Sequence, residues 1–491
     1  MLFNSYIFIF AFFPIVLLGY FGLNHFHKYT AAKFFLIIAS LYFYGYFNWW
    51  YLLIIVTSVA LNYILSRVML RDKTSNAVRK TVFIMALTLN IGSLFYFKYY
   101  DFFIENINAI FMTDFTLLHL LLPLGISFFT FQQLSYVIDS YKYDEKIADY
   151  DFLDYALFVT YFPQLIAGPI VTHDEMVPQF ADISKKCINA ENFAVGLYAF
   201  VLGLGKKVIV ADAFGLLVGQ GFADVSTLGT VNAILTMLAY TFQIYFDFSG
   251  YCDMATGIGK MMNIDITMNF NSPYKAVTIV DFWKRWHITL TRFFTRYVYI
   301  PLGGNRKGTV RTYVNIMIVF LISGIWHGAN WTFIAWGVLH GVANVLTRIF
   351  DKAMGIYSKR NSKTINIISW IFTFAFVNLA WVIFRADSLT DALTYFTQFF
   401  HYTGFTQSTV LLQTVYTSGF QFFGHIIPYF WMIMPIALFV FAFVASVFMK
   451  NTNQRIGNFN PSVPKALITP VVLVWCIMSF AGVSTFLYWN F

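Results

Sequence analysis

The chain has 491 residues, of which 59% are hydrophobic and only 11% are charged. A soluble domain has about 25% charged residues, so the composition excludes a soluble globular enzyme and requires a surface that faces lipid. Lysine and arginine outnumber aspartate and glutamate by 32 to 23, a formal net charge of +9. Basic cytoplasmic loops and anionic lipid account for such an excess in a membrane protein, and no nucleic-acid partner is needed.

Apolar segments long enough to cross a hydrocarbon core of about 30 Å recur along the whole chain. They do not alternate in polarity, which argues against a β-barrel and favours an all-α polytopic membrane protein. The first segment is interpreted as a retained helix, because no basic residue precedes it and no small-residue cleavage site follows it. The candidate spans are 5–23, 31–47, 49–66, 81–97, 116–137, 152–170, 193–210, 229–247, 312–326, 331–347, 366–384, 428–448 and 467–483.

The charges in the loops predict the orientation of the helices. Residues 28–33 include two lysines, and five basic residues lie within 67–80. Both loops should face the cytoplasm, which places the N-terminus outside. The basic loops at 284–311 and 348–363, followed by three further crossings, place the C-terminus outside as well. The course of 139–230 stays undetermined by this rule.

An ionisable residue is predicted deep in the membrane by the stretch SGIWHGANW, residues 323–331. His327 follows Arg311 by 16 residues, which is about 24 Å along a helix. Such residues are costly in a membrane and usually face a cavity, and imidazole is suited to exchange protons near neutral pH. Trp326 and Asn330 are candidates for the wall of that cavity. The alternative is a structural histidine that bonds a neighbouring helix.

The stretch DFWKRWHITLTRFFTRYVYIPLGGNRKG begins at Asp281 and combines a histidine with several arginines. Taken as one helix, it places side chains with a spacing of four on common faces. The arginine face is a candidate site for a phosphate-bearing donor, and the alternative is an interfacial helix that holds lipid headgroups. One face has Trp283, His287, Thr291 and Thr295, and the other has Arg285, Thr289, Arg292 and Arg296.

A third polar stretch, YTFQIYFDFSGYCDMATGIGK, begins at Tyr240. Gln243 and Asp247 share a helical face, with Asp253 nearby, and several polar groups together favour a water-filled tunnel. A buried aspartate alone would more often be a hydrogen-bond anchor between helices. The stretch GLGKK at 203–207 lacks the spacing of a P-loop. Three distant cysteines and scattered histidines predict neither a disulfide framework nor a metal site.

These motifs resemble the membrane-bound O-acyltransferase family. FWKRWHITLTRFFTRYVYIPLGGNRKG, followed 40 residues after its histidine by SGIWHG, is similar to the bacterial branch that acetylates alginate, peptidoglycan and cellulose or transfers D-alanine to teichoic acid. PLGISFFTFQQLSYVIDSY, FPQLIAGPI, YTFQIYFDFSGYCDMATGIG and NSPYKA resemble that branch too. The resemblance implies one membrane-embedded domain over 1–491, built as a ring of roughly 11–13 transmembrane or re-entrant helices around a thin central partition.

The resemblance also implies an enzyme, an O-acetyltransferase of the bacterial cytoplasmic membrane. A cytoplasmic thioester, acetyl-CoA or an acyl carrier protein, would be the donor, and an extracellular or periplasmic polysaccharide the acceptor. His327 would be the general base, and His287 would orient the donor or assist proton transfer. No bound cofactor is implied. A serine-hydrolase-like acetyltransferase outside the membrane would be the partner.

The chain closes on the aromatic motif FLYWNF, within a tail at 484–491. It is similar to an F-I-Y-x-x-F motif at the C-terminus of this branch, which implies that Tyr488 carries the acyl group. A phenol ionises near pH 10, so its ester is more activated than a sugar ester. The alternative is an aromatic belt at the membrane interface.

Three other functions stay open at the level of sequence. D-alanyl transfer to teichoic acid is the nearest, because that activity occurs in the same branch. A lipid-modifying acyltransferase is another member of the family. A transporter or flippase without covalent chemistry also fits buried polar groups and glycine-broken helices, although no inverted repeat is evident.

Overall fold

The computed structural model describes residues 1–142, 147, 150–354, 362–402, 411–415, 420, 430–480 and 487. Within these residues the chain forms α-, π- and 3-10 helices and no β-strand, which confirms the all-α prediction. The chain divides into two compact units. The first unit comprises 1–200 and 255–267, and the second comprises 201–254 and 268–491. The single domain over 1–491 stays a prediction.

The α-helices begin and end as follows in chain order. Up to residue 223 they are α1 Phe13–His25, α2 Tyr29–Gly45, α3 Trp50–Met69, α4 Asn76–Leu94, α5 Tyr100–Phe111, α6 Ile126–Tyr141, α7 Phe152–Thr160, α8 Phe162–Leu165, α9 His173–Ala181, α10 Ala190–Gly205 and α11 Asp212–Ala223. They continue with α12 Gly229–Met261, α13 Ile279–Trp283, α14 Ile288–Phe294, α15 Thr309–His327, α16 Trp331–Met354, α17 Lys363–Arg385, α18 Leu389–Gln398, α19 Phe430–Val447, α20 Thr452–Ile456 and α21 Val463–Met478. The π-helical segments are Phe8–Phe12, Phe95–Tyr99, Lys206–Ala211 and Thr295–Tyr299.

Several helical stretches of the described chain are long and apolar enough to cross a membrane, which agrees with a multi-pass protein. Tyr29–Gly45, Ile433–Val447 and Val463–Met478 are shorter apolar helices. The seven longer stretches are Phe8–His25, Trp50–Met69, Asn76–Phe111, Ala190–Ala223, Thr309–His327, Trp331–Ala353 and Lys363–Arg385.

Two predicted spans in the first unit differ from the structure. The span expected at 116–137 starts only at α6, because Gly125 takes a positive φ of 70° at the residue before the helix. A Cβ there would lie 2.7 Å from the carbonyl oxygen of Leu165. The span expected at 152–170 breaks between α7 and α8 at Tyr161, whose ψ of 109° is not helical. Pro163 is the second residue of α8 and, because it has no backbone N–H, it cannot donate a helical hydrogen bond back to α7.

Polar side chains of α6 join helices inside the first unit. Gln133 accepts hydrogen bonds through Oε1 from Asn62 at 2.9 Å and from the hydroxyl of Tyr155 at 3.1 Å. Asp139 lies 3.2 Å from Nε2 of His173, and both side chains are buried. Buried polar groups are stable when they are paired in this way. The polar residues of this stretch therefore hold α3, α6, α7 and α9 together.

Candidate active site

The second unit presents His327 at the tip of a helical hairpin, as the sequence predicted. Helix α15 ends at His327 and α16 begins at Trp331. Asn330 closes the turn, since its Nδ2 donates to the carbonyl of Asp387 at 2.8 Å and its Oδ1 accepts from the backbone of Thr332 at 3.0 Å. With 18 residue steps from Thr309, His327 lies about 27 Å along the helix.

Glycines let the two arms of the hairpin approach closely. A Cβ at Gly324 would lie 2.5 Å from the carbonyl oxygen of Phe333, and one at Gly337 would lie 2.5 Å from that of Phe320. Real Cβ atoms do not come that near, so a side chain at either position would push the arms apart. Gly324 and Gly337 thereby set where His327 lies relative to α16.

His327 is surrounded by aromatic side chains and is only 2% exposed. Its ring centroid lies 5.0 Å from Trp326, 5.1 Å from Trp336 and 5.2 Å from Phe384. All three are edge-on contacts, an arrangement that aromatic rings favour. The aromatic walls exclude bulk water and fix the plane of the imidazole.

The segment around His287 is not the single helix that the sequence predicted. His287 has a positive φ of 45°, and it separates α13 from α14. The prediction that Trp283, His287 and Thr291 share one face of a continuous helix was therefore wrong. A left-handed conformation costs a residue with a side chain about 1–2 kcal/mol. Contacts with Asn269 offset this cost: its carbonyl accepts from the backbone of Ile288 at 2.9 Å, and its Oδ1 lies 3.1 Å from Nδ1 of His287.

Trp326 brings the two histidines of the motifs into one site. Its ring centroid lies 5.0 Å from that of His327 and 6.1 Å from that of His287. His287 is fully buried, and among the described residues its Nε2 has no hydrogen-bond partner. A buried polar atom in this state usually has a ligand or water as its partner. The imidazoles of His327 and His287 therefore both contact the indole of Trp326, and Nε2 of His287 is available to a ligand.

His340 is a part of this environment that the motif analysis missed. It is buried on α16, its Nδ1 accepts a hydrogen bond from Nε1 of Trp283 at 3.2 Å, and its ring lies 4.8 Å from Trp336. Trp336 also contacts His327. The spacing of four between Trp336 and His340 was the sequence signal that places both on one helical face.

The three arginines proposed for donor binding lie on or beside α13 and α14. Arg285 is held locally, because its Nε donates to Asp281 at 2.9 Å and its Nη1 to the carbonyl of Asn271 at 3.3 Å. Arg292 is in the last turn of α14. Arg296 stands over the ring of Tyr297, with 5.3 Å from its guanidinium carbon to the ring centroid. Their role toward a donor stays a prediction.

The carboxylates proposed to line a tunnel are paired with the lysines of GLGKK. Lys206 lies 2.5 Å from Asp253, and Lys207 lies 2.5 Å from Asp247 and 2.8 Å from Asp212. Both lysines begin a π-helical segment between α10 and α11. These contacts agree with the alternative interpretation, in which Asp247 and Asp253 are hydrogen-bond anchors between helices. A role in lining a tunnel stays a prediction.

Gln243 lies on α12 against α11, where a Cβ on Gly215 would be 2.8 Å from its Nε2.

Tyr488, the proposed acyl carrier, lies outside the described residues. Its neighbour Leu487 is described, and the backbone N–H of Leu487 donates to Oδ2 of Asp247 at 3.1 Å. Among the described residues, no group of three histidine, cysteine or acidic side chains is placed to hold a metal ion.

Comparison with known proteins connects this site to an enzyme family. Residues 142–387, which include both histidines, match the model of the membrane-bound O-acyltransferase family. The chain is 47% identical to the peptidoglycan O-acetyltransferase of Helicobacter pylori over 80% of this chain and 78% of that protein. It is 39% identical to the probable alginate O-acetylase of Pseudomonas aeruginosa over 80% of this chain and 73% of that protein.

A more distant similarity extends to D-alanyl transfer. The chain is 26% identical to the teichoic acid D-alanyltransferase of Bacillus subtilis over 53% of this chain and 68% of that protein. The residues that match the family model include both the hairpin of His327 and the turn of His287. The chain belongs to the membrane-bound O-acyltransferase family.

Proposed function

We propose that the chain moves an acetyl group from a cytoplasmic thioester to a polysaccharide outside the bacterial cytoplasmic membrane. The observation that carries this proposal is that the rings of His327 and His287 both contact Trp326, with His327 at the end of a helix of membrane length. The family is one of acyltransferases, so the chain is an enzyme, and the alternative of a transporter without covalent chemistry is set aside.

The names of the relatives support acetyl as the acyl group. The relatives named for O-acetylation of peptidoglycan or alginate are 47% and 39% identical over 80% of the chain. The relative named for D-alanyl transfer is 26% identical over 53%. D-alanyl transfer to teichoic acid is therefore the second candidate, and the acyl mass that the protein carries distinguishes the two.

In the proposed reaction His327 takes a proton from the acceptor hydroxyl. The hydroxyl oxygen attacks the thioester carbonyl, the carbon–sulfur bond breaks, and the thiolate recovers the proton from the imidazolium. The products are an oxygen ester and a free thiol. The donor is acetyl-CoA or an acyl carrier protein, with Arg285, Arg292 and Arg296 as candidates to bind its phosphates.

Tyr488 is the proposed first acceptor, and the polysaccharide, reached with the help of an extracytoplasmic serine-hydrolase-like acetyltransferase, is the second. The hydrogen bond from the backbone N–H of Leu487, the residue before Tyr488, to Oδ2 of Asp247 supports this role. A phenyl ester retains more of the free energy of the thioester than a sugar ester does, because phenol is the better leaving group. Transfer to Tyr488 and then to the polysaccharide can each proceed without a large increase in free energy.

Mass spectrometry of the C-terminal peptide tests this proposal. The purified full chain is incubated with acetyl-CoA, and the wild type is compared with His327→Ala and Tyr488→Phe. An acetyl mass on the wild-type peptide that is absent in both variants would support the relay. A D-alanyl mass after incubation with a D-alanyl carrier protein would favour the second candidate. A wild-type tail that stays unmodified while polymer is acetylated would rule out Tyr488 as the carrier.

A further inference from the structure

Asn269 lies in the loop between α12 and α13 and is 1% exposed. Its Oδ1 accepts hydrogen bonds from the backbone N–H of Thr289 at 3.2 Å and from the Thr289 hydroxyl at 2.9 Å. The same oxygen lies 3.1 Å from Nδ1 of His287. On its other side, Nδ2 of Asn269 donates to Sγ of Cys252 at 3.4 Å. One buried amide therefore connects the turn of His287 to α12.

These contacts determine which ring nitrogen of His287 carries the proton. A backbone N–H can only donate, so the atom of Asn269 that faces Thr289 must be the oxygen and not the amide nitrogen. An amide oxygen can only accept, so Nδ1 of His287 must donate to it. In a neutral imidazole the other nitrogen is then unprotonated. The remaining nitrogen, Nε2, is the buried atom that has no hydrogen-bond partner in the described part of the chain.

We infer that Asn269 is a positioning residue that fixes His287 as its Nδ1–H tautomer, so that Nε2 presents a lone pair to the substrate. In this tautomer neutral His287 cannot donate a hydrogen bond from Nε2 to a carbonyl oxygen. It accepts one from an O–H or N–H group of the bound substrate, or takes the proton of that group. The substrate part of this inference depends on the proposed acyl transfer, whereas the tautomer does not.

Histidine ¹⁵N magic-angle-spinning spectra of the full chain in lipid test the tautomer directly. Protonated and unprotonated ring nitrogens have well-separated shifts, and the His287→Gln spectrum identifies the signals of His287 among the nine histidines. We expect an unprotonated Nε2 and a protonated Nδ1 in the wild type at neutral pH. We expect Asn269→Asp to keep this pattern and Asn269→Leu to lose it. A protonated Nε2 in the wild type, or an unchanged pattern in Asn269→Leu, would overturn the inference.

The rate of acetyl transfer from acetyl-CoA tests whether Asn269 positions His287 or has only a structural role. Asn269→Asp keeps an acceptor for Nδ1–H and Thr289, so it should retain transfer. Its carboxylate stabilises the imidazolium, which shifts the acidic limb of the pH profile to higher pH. Asn269→Leu should lower kcat more than it changes KM. Thr289→Val removes one hydrogen bond to the same oxygen and leaves His287 its acceptor, so in the ¹⁵N spectra it should keep the wild-type tautomer that Asn269→Leu loses. An Asn269→Asp profile identical to the wild type would contradict the contact, and a tautomer that is confirmed without any transfer would count against the proposed function alone.

Discussion

The imidazole of His327 is held edge-on by rings at interplanar angles of 70°, 87° and 75° to Trp326, Trp336 and Phe384. Such walls leave the ring little freedom to turn and keep its nitrogens away from bulk water. A proton transfer in this environment is sensitive to the position of the base. Loss of the imidazole should therefore lower the rate of acetyl transfer strongly and change the stability of the fold little.

At this scale we predict that His327→Ala lowers the rate of acetyl transfer by about 10²–10⁴-fold, the usual contribution of a positioned general base. Labelled acetyl transfer from acetyl-CoA by the purified chain measures the rate, and thermal unfolding checks the fold. His119→Ala is the control, since its side chain is 79% exposed and outside the site. A variant that retains wild-type rates would show that His327 is a structural histidine.

Two residues show where sequence reasoning reached the site and where it did not. His327 was located correctly because a long apolar stretch, ended by a glycine-rich turn, determines the tip of a hairpin from local sequence alone. The bend at His287 was missed because local spacing predicts a helix there. The residue that stabilises the bend is Asn269, 18 positions earlier, and no local pattern reports that contact.

At the scale of the helical element, the crossing of α15 and α16 depends on Gly324 and Gly337. Each lies so near the opposite backbone that a Cβ would come within 2.5 Å of a carbonyl oxygen. Such overpacking typically costs about 1–3 kcal/mol. Because His327 ends α15, a shift of the arms would also move the imidazole relative to Trp336.

We predict that Gly324→Ala lowers both the melting temperature and the rate of acetyl transfer. Gly219→Ala on α11 is the matched control: nothing lies within 4 Å of a Cβ there, and alanine should stabilise that helix by roughly 0.5–1 kcal/mol. Thermal unfolding and the transfer assay measure both variants. Equal effects of the two substitutions would contradict the close crossing.

The ion pair of half-buried Lys206 and buried Asp253, whose side chains are 19% and 7% exposed, gives a second test at this scale. Asp253 also accepts from the hydroxyl of Thr452 at 2.5 Å, so the pair connects the π-helical segment, α12 and α20. The sequence did not predict this pairing, because the two residues lie 47 positions apart. Removing one member of a buried pair commonly costs about 3–5 kcal/mol, because the other charge loses its partner.

We therefore predict that Lys206→Met is strongly destabilising and that adding Asp253→Asn recovers part of the loss. Chemical denaturation of the two single variants and the double variant forms a double-mutant cycle. A favourable coupling with unchanged transfer chemistry would identify the pair as a structural anchor. Additive effects without coupling would be evidence against the ion pair and for the tunnel interpretation of Asp253.

At the scale of the whole molecule, the all-helical class and the apolar character of the helices were predictable, whereas the number of spans and the ends of the helices were not. Positive φ at Gly125 and the break at Tyr161 shortened or divided predicted spans. Hydropathy reports burial in lipid and does not report backbone conformation. In the opposite sense, α12 continues to Met261, well beyond the predicted end at 247.

Loop charge predicts that the basic segment 67–80 faces the cytoplasm. It predicts that 98–114, with Asp101, Glu105 and Asp114 against a single lysine, faces outside. Single cysteines at Lys73 and Asp114, in a background without the three native cysteines, test this orientation. An impermeant maleimide added to intact cells should label Asp114→Cys and should label Lys73→Cys only after the membrane is opened. The reverse pattern would invert the orientation and place the N-terminus inside.

The acetate content of envelope polysaccharide tests the central claim most directly. Cells that lack their own activity would express the wild-type chain or His327→Ala, and mild base would release ester-linked groups from the isolated polymer. The account predicts acetate from cells with the wild type and background levels from cells with the variant. Equal acetate from both, or D-alanine in its place, would contradict acetyl transfer through His327.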